Sequence, residues 1–388
     1  MAAVIASTGF LAGFTATWMR QPEAVADTGL SLVWEVWGYV ERYFYGTVPP
    51  DTELVYGVID GALETLNDPY TRLVRPVDHT IERDRLRGAF GGVGAYVYDV
   101  EGLLYLRPLP DTPADEAGIQ DGDRLLAVDG EPLPDGATTD LAVSLIRGPV
   151  GTTVTLTVER GEETLDFTLE RAEIPQPTVE YSLLEGTEPL VGYVRIALFS
   201  ERTPEELQRA LASVRHDGAA VLVLDLRGNP GGLLESAVEV ASRFLTRGTV
   251  VYEVDADGNE RRFSVRPRVS VSEPMVILVD EGTASAAEIV AGALQDHERA
   301  EIVGRVTRGK GSVQLAYELR DGSSLHVTSA VWLTPDRRQI NEVGLEPDVL
   351  VEEDPEGAYQ DAILHRGLEL LGVEWADADT EAEPEVLP

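Results

Sequence analysis

The chain has no cysteine, and that single absence removes thiol nucleophiles, thiolate metal ligands and disulfides together. Any nucleophile must therefore be an oxygen. A lack of disulfides is compatible with export but does not require it. Positive charge is also scarce: 31 Lys and Arg face 68 Asp and Glu, a formal net charge of −37. Such a surface repels phosphate backbones and anionic bilayers, which argues against nucleic acid as a partner. Within the basic set lysine is all but missing, since Lys310 is the only one. The five histidines, His79, His216, His297, His326 and His365, are scattered without an HExxH or other paired-ligand spacing. Neither a metal nor a cofactor is implied.

What is present suffices for a folded, multi-domain body, with 43% apolar residues over a length of 388. Met1 to Met19 is an uncharged run of small and apolar residues, followed by Arg20, Pro22 and the small-x-small stretch Ala24-Val25-Ala26. Although a basic leader is missing, residues 1–26 read as a secretory signal or a retained membrane anchor. The expected location is outside the cytoplasm, in a periplasm or on the outer face of the cytoplasmic membrane.

Helical spacing of Val33, Trp34, Trp37, Val40 and Phe44, with a second amphipathic stretch from Glu53 to Leu66, predicts a small helical domain over 27–87. Asp68-Pro69-Tyr70-Thr71 breaks the second helix, and a basic, polar connector runs on to Arg87. From 88 to 174 the pattern changes to short strands and tight turns, with one short helix from Thr139 to Arg147. Between 175 and 372 apolar strands (Val191 to Ile196, Ala219 to Leu226, Met275 to Val279) alternate with helices, which predicts parallel strands joined by crossovers. Thr203-Pro204-Glu205-Glu206 reads as a helix start with Thr203 as cap and Glu206 completing a capping box. The acidic tail, 373–388, reads as solvated or disordered. The fold class is α/β in its largest part, within a multi-domain α+β arrangement.

Ser285 falls where the buried strand candidate Met275 to Val279 turns through Asp280-Glu281-Gly282-Thr283-Ala284 into a helical run. At such a turn the hydroxyl is exposed, and the helix N-terminus can stabilise negative charge on an attacked carbonyl. A plain Ser N-cap is the competing interpretation. Lys310 tips the balance. A guanidinium cannot act as a base, whereas burial can bring an ammonium from a pKa of about 10.4 towards about 7 to 8. The alternative, a phosphate loop at Gly309-Lys310-Gly311, lacks a preceding Walker motif. Gln314, four residues on in an extended segment, is expected to share the face of Lys310 and orient its amine. Asp225-Leu226-Arg227-Gly228-Asn229-Pro230-Gly231-Gly232 reads as a strand end and a turn whose glycines let backbone N–H groups approach a ligand. A triad of Ser285, His297 and Asp225 is disfavoured, because His297 lies roughly 18 Å away along the same helix.

Pro113 to Gly130 resembles the middle of a PDZ domain. Over Trp34 to Val351 the chain resembles the carboxyl-terminal processing peptidases, or tail-specific proteases. The likeness rests on Leu66-Asn67-Asp68-Pro69-Tyr70-Thr71, Leu224 to Gly232, Thr283-Ala284-Ser285-Ala286-Ala287-Glu288, Gly309-Lys310-Gly311-Ser312-Val313-Gln314 and Gly344-Leu345-Glu346-Pro347-Asp348. Thr283 and Ala287 depart from the usual serines, and Asp336-Arg337 from the usual small residue and glycine.

The resemblance implies a crotonase-like α/β protease core at 175–372, a PDZ domain inserted at 88–174 and the N-terminal helical domain. It implies a serine endopeptidase with Ser285 as nucleophile, Lys310 as base and Gln314 positioning the lysine. An oxyanion hole would use the N–H of Ala286 and that of Gly231 or Gly232. The Gly91-Gly92-Val93-Gly94 loop would capture the substrate's terminal carboxylate, with the following strand pairing to the peptide. Expected partners are polypeptides with accessible carboxyl termini, with a homo-oligomer and membrane anchoring left open. A silent PDZ scaffold and a crotonase-type acyl-CoA enzyme are the competing classes. Ser285, Lys310 and Gln314 together disfavour the first; the PDZ insertion and the export signal disfavour the second.

Overall fold

The computed structural model describes residues 30–266, 271–352 and 361–375. The expected signal or anchor at 1–26 lies outside them. Two compact units divide after Ala62. The first contributes helices α1 (Leu30–Tyr43) and most of α2 (Asp51–Glu64), at the two positions where the apolar spacing predicts them. Among the described residues no helix is long and apolar enough to cross a membrane.

The second unit opens with β1 (Arg72–Val74) and α3 (Pro76–Arg87). Both were expected to belong to a helical domain ending at 87. Instead β1 pairs antiparallel with a distant strand, from Arg72↔His326 to Val74↔Ser324, so the domain boundary moves forward. The connector is helical because Pro76 stands in the first turn, where its missing N–H costs nothing, and Gly88 at φ 73 closes the other end.

The inserted region runs through β2 (Ala89–Gly92), β3 (Ala95–Val100), β4 (Leu103–Pro108), α4 (Pro113–Glu116), β5 (Asp123–Val128), β6 (Glu131–Pro132), α5 (Thr139–Ile146), β7 (Thr153–Arg160) and β8 (Glu163–Glu170) to β9 (Ala172–Pro175). β2 and β9 pair antiparallel and bring its two ends together. Its sheet has the order β3-β4-β5-β7-β8, with β6 paired to β5, so β3 is an edge strand with β4 as its one strand partner among the described residues. Leu104, Leu106, Leu125, Leu156 and Val158 fill a core of its own.

The largest region contains β10 (Val179–Leu184), β11 (Thr187–Glu188), β12 (Val191–Ile196), α6 (Thr203–His216), β13 (Val221–Asp225), α7 (Leu234–Phe244), β14 (Thr249–Asp255) and β15 (Glu260–Ser264). It continues with β16 (Met275–Val279), α8 (Ala286–Asp296), β17 (Glu301–Gly304), β18 (Ser312–Glu318), β19 (Ser324–Leu333), β20 (Val349–Leu350), α9 (Ala362–Leu370) and β21 (Glu374–Trp375). The predicted crossovers are present: β12, β13, β16, β17 and β20 lie parallel in one sheet, and β10 closes its edge antiparallel to β12.

Period-two alternation explains why this sheet is buried on both faces. Leu222, Leu224, Met275, Ile277 and Val279 enter the main core with α7 and α8, while Val221, Val223, Val276 and Leu278 enter a second core with Leu364 and Leu368 of α9. A second, antiparallel sheet, β1-β19-β14-β15 with β18 on β19, has no counterpart in the sequence reading.

Two local expectations change. The helix begins at Thr203 itself with Arg202 as its cap. Glu206 does not accept the backbone N–H of that cap, which goes to Ser200 Oγ; its Oε1 pairs with the Arg202 side chain at 3.5 Å, while its Oε2 accepts from the Thr178 N–H at 2.7 Å and hydroxyl at 2.9 Å, tying α6 to the start of β10. The expected acidic tail starts late as well. Val373 is buried and Glu374–Trp375 pair with Thr187–Glu188, while 376–388 lie outside the described residues.

Candidate active site

β16 ends at Val279, and the chain then makes a turn held by the side chains of Asp280 and Thr283, the Thr283 hydroxyl oxygen accepting from the Asp280 N–H at 3.0 Å. Asp280 Oδ1 accepts from the N–H groups of Gly282 (2.9 Å) and Thr283 (3.0 Å), and also from Gly228 (2.8 Å) at the end of β13. The buried Thr283 hydroxyl donates to Leu226 O at 2.9 Å, and the Ala284 N–H donates to Asn229 O at 2.9 Å. The turns after β13 and β16 are thus sewn to each other. Thr283, a departure from the family pattern, keeps a hydroxyl in the seam.

Ser285 follows with φ 54 and ψ −116, a backbone conformation a non-glycine residue rarely adopts and one that costs on the order of 1–3 kcal/mol. It caps α8, which turns the helix N-terminus towards the same place. Against it lies Gly231: a Cβ there would stand 2.7 Å from Ser285 Cβ, and the residue's φ of 105 suits glycine alone. The Gly231 N–H is engaged by Asn229 Oδ1 at 2.8 Å. Among the described residues, the N–H groups of Gly232 and Ala286 donate to no protein acceptor. The sequence left the choice between the two glycines open, and on this ground Gly232 is the uncommitted donor.

Glu288 joins the two halves of the site. It is fully buried, and its Oε2 accepts from the backbone N–H of Ser285 (2.7 Å) and of Lys310 (3.0 Å). Its Oε1 accepts from the Thr307 hydroxyl and from the Gly309 N–H (2.7 Å). Burial pushes its carboxyl above the ordinary range, against the pull of these four donors. In the sequence Glu288 stands out only as part of a motif. The Ser-x-x-Glu spacing of a capping box was the signal that could have found it.

The Lys310 loop is shaped by close packing. A Cβ on Gly309 would lie 2.8 Å from Gly344 N, and one on Gly311 2.2 Å from Asn341 N, so both glycines serve contact with the segment 340–344. The Thr307 hydroxyl oxygen also accepts from the Leu345 N–H at 2.8 Å, which brings the Gly344 to Asp348 motif against the loop. Lys310 is part-buried, and burial first, then Arg72 and Arg308, lower its pKa; Glu82 and Glu288 oppose them. The direction is the one base chemistry requires. Its ammonium lies 5.1 Å from the centroid of the Tyr70 ring.

Gln314 sits elsewhere than expected. Its amide donates to Ser312 Oγ at 2.7 Å, and among the described residues no hydrogen bond links Lys310 Nζ to Gln314 or to Ser285. The face-sharing argument fails for two reasons. Lys310 precedes the strand, which begins at Ser312, and the β18–β19 register shifts between Val313 and Gln314.

Behind the site, Asp225 and Arg227 form a half-buried network. Arg227 pairs with Asp225 through Nη2 at 2.6 Å and reaches Asp361, the cap of α9, through Nη1 at 2.6 Å. Tyr193 donates to the same Asp225. The disfavoured triad is absent: Asp225 is committed here, and His297 Nε2 contacts Thr249 O at 2.7 Å at the far end of α8.

In the inserted region, Gly91 and Gly92 belong to β2, and Val93 and Gly94 lead into β3. The carbonyls of Val93 and Gly94 accept from Ala114 and Leu109, each at 2.8 Å, while among the described residues their own N–H groups meet no protein acceptor. A Cβ on Gly94 would stand 2.3 Å from Thr112, so that glycine is required by packing.

Residues 190–351 match the model of peptidase family S41, and 105–160 that of a PDZ domain. The chain is 38% identical over 308 residues to a carboxyl-terminal-processing protease of Synechocystis sp., across 78% of this chain and 72% of that protein. It is 35% identical over 355 residues to the carboxy-terminal processing protease CtpA of Bacillus subtilis, across 90% of this chain and 75% of that protein. Among solved structures it is similar to a photosystem II D1 C-terminal processing protease, at 30% identity and a TM-score of 0.50, covering 90% of this chain and 92% of that one.

Proposed function

The chain belongs to peptidase family S41, the serine peptidases that process carboxyl termini, and on that premise we propose that it is a Ser/Lys endopeptidase acting on exported polypeptides. Ser285 Oγ attacks the scissile carbonyl while the neutral Lys310 amine takes its proton. The resulting ammonium returns that proton to the leaving amine, and water then hydrolyses the acyl-enzyme by the same route. The oxyanion is held by the Ala286 N–H and by the Gly231–Gly232 turn, with Gly232 as the glycine whose N–H is uncommitted. Gln314, whose amide is engaged by Ser312 Oγ, takes no part in this scheme.

The observation that carries this reading is the shared carboxylate of Glu288, whose Oε2 anchors the backbones of both Ser285 and Lys310. A scaffold without chemistry has no need to fasten a strained serine and the chain's one lysine to the same buried atom. Free N–H groups at Val93 and Gly94, beside the edge strand β3, support capture of a substrate carboxylate and pairing of its backbone. The uncharged run at the N-terminus supports export to a periplasm or to the outer face of the cytoplasmic membrane, with or without anchoring.

The test uses protein lacking residues 1–26 and a disordered substrate followed by intact mass. Fragments that shorten from the carboxyl end are expected. They should be absent with Ser285→Ala, and residual cleavage above about a hundredth of wild type would remove Ser285 from its role.

A further inference from the structure

The turn Asn67-Asp68-Pro69-Tyr70-Thr71 is far from the catalytic elements in sequence and lies before the whole PDZ insertion, yet it is built into the site. Asp68 folds the turn on itself: Oδ1 accepts from the Tyr70 N–H at 3.1 Å and Oδ2 from the Thr71 hydroxyl at 2.6 Å. The Thr71 hydroxyl oxygen in turn accepts from the Thr328 N–H of β19 at 3.0 Å. Arg72 to Val74 then extend the anchorage by pairing with the same strand. β19 also carries β18, which begins two residues after Lys310. The turn and the lysine loop are therefore fixed to one strand, and the part between them that touches is the Tyr70 ring, 5.1 Å from Lys310 Nζ.

We infer that Tyr70 is a positioning residue for Lys310: its ring face holds the amine in the site, and the Asp68–Thr71–Thr328 bonds hold the ring. The inference rests on the reading of Lys310 as general base. An ammonium within about 6 Å of a ring centroid is attracted to the ring's negative face, more strongly when partly desolvated. Lys310 makes no hydrogen bond through Nζ among the described residues, so the ring is its directional partner. The Tyr70 hydroxyl makes none either, which makes the ring face the functional part. The face steadies the ammonium between abstraction of the serine proton and its delivery to the leaving amine.

Charged groups on several elements act on the amine. Arg72 of β1 and Arg308 repel the ammonium, Glu82 of α3 and Glu288 of α8 attract it, and His326 of β19 lies near enough to feel it. None of these would be altered by changing Tyr70 to another apolar or aromatic residue.

Because the chain has one lysine, protein labelled with ¹³Cε-lysine gives a single side-chain signal, readable in Ser285→Ala protein with no catalysis. Wild type and Tyr70→Phe should show the Lys310 ε-protons upfield of free lysine through the ring current, and Tyr70→Leu should lose that shift. In active protein, Tyr70→Phe should work at close to the wild-type rate. Tyr70→Leu should lower kcat about tenfold with KM little changed, and move the acid limb of kcat/KM to lower pH because the ammonium has lost its partner. A partly unfolded variant would lose amplitude without moving the limb. A wild-type signal at the free-lysine position, or a Tyr70→Leu protein with unmoved signal and unmoved limb, overturns the inference. Should Lys310→Ala stay active while the ring-current shift is present, the base assignment fails instead.

Discussion

The N–H of Lys310 donates to Oε2 of Glu288 at 3.0 Å, across a gap of 22 residues in the chain. The same oxygen receives the Ser285 N–H, so this carboxylate sets the spacing of the two loops. Glu288→Gln keeps the size of the side chain but replaces one acceptor oxygen by a donor facing N–H groups. We expect kcat to fall roughly a hundredfold with KM within a few-fold of wild type and the circular dichroism spectrum retained, the size of losing bonds to a buried charge. Unchanged kcat would show that the loops keep their positions without it.

Lys310→Arg keeps the charge and approximately the reach, but a guanidinium cannot accept the serine proton. It should be as inactive as Lys310→Ala, at least about a thousandfold below wild type. Burial, with Arg72 and Arg308, lowers the Lys310 pKa, and in the proposed mechanism the neutral amine is the active form. Wild-type kcat/KM should therefore rise with pH through one ionisation lying below that of free lysine. Appreciable activity in the arginine variant would show that charge, not proton transfer, is what position 310 supplies.

Paired peptides ending in a carboxylate or a carboxamide test the loop before β3. The Val93 and Gly94 N–H groups meet no protein acceptor among the described residues, and a terminal carboxylate would satisfy them. The carboxamide should raise KM roughly tenfold or more and change kcat less. Equal constants for the two peptides would mean the loop does not read the terminus. Bulky replacements at Gly94 are unsuitable for this purpose, because they collide with Thr112.

Glu273 offers a stability test away from the site. Arg215 of α6 chelates it, with Nη2 to Oε2 at 2.7 Å, and this pairing first of all brings its pKa from 4.5 down to about 2. A depressed carboxyl pKa stabilises the fold above the unfolded value and loses that contribution as pH falls through the folded one. Glu273→Gln should cost about 1–2 kcal/mol near neutral pH at this partly exposed position. The difference from wild type, read by urea unfolding, should shrink as pH falls from 4.5 towards 2. A difference independent of pH would mean that the charge on Glu273 contributes nothing.

The sequence by itself determined the parallel sheet and the strand-to-helix turn at Ser285, because local periodicity and turn chemistry can be read within a window of a few residues. It also singled out Lys310 as the candidate base, through the composition of the whole chain. Tertiary structure alone decided the rest. The antiparallel sheet joins β1 to β19 across about 250 residues, and no local pattern states which edge a three-residue strand will find. The predicted tie from Gln314 to Lys310 assumed an unbroken strand, and a register shift set by the partner strand removed it. Glu288, Asn229 and Tyr70 became part of the site for the same reason. Their contacts are made by side chains reaching to the ends of different elements, and only the assembled fold fixes those distances.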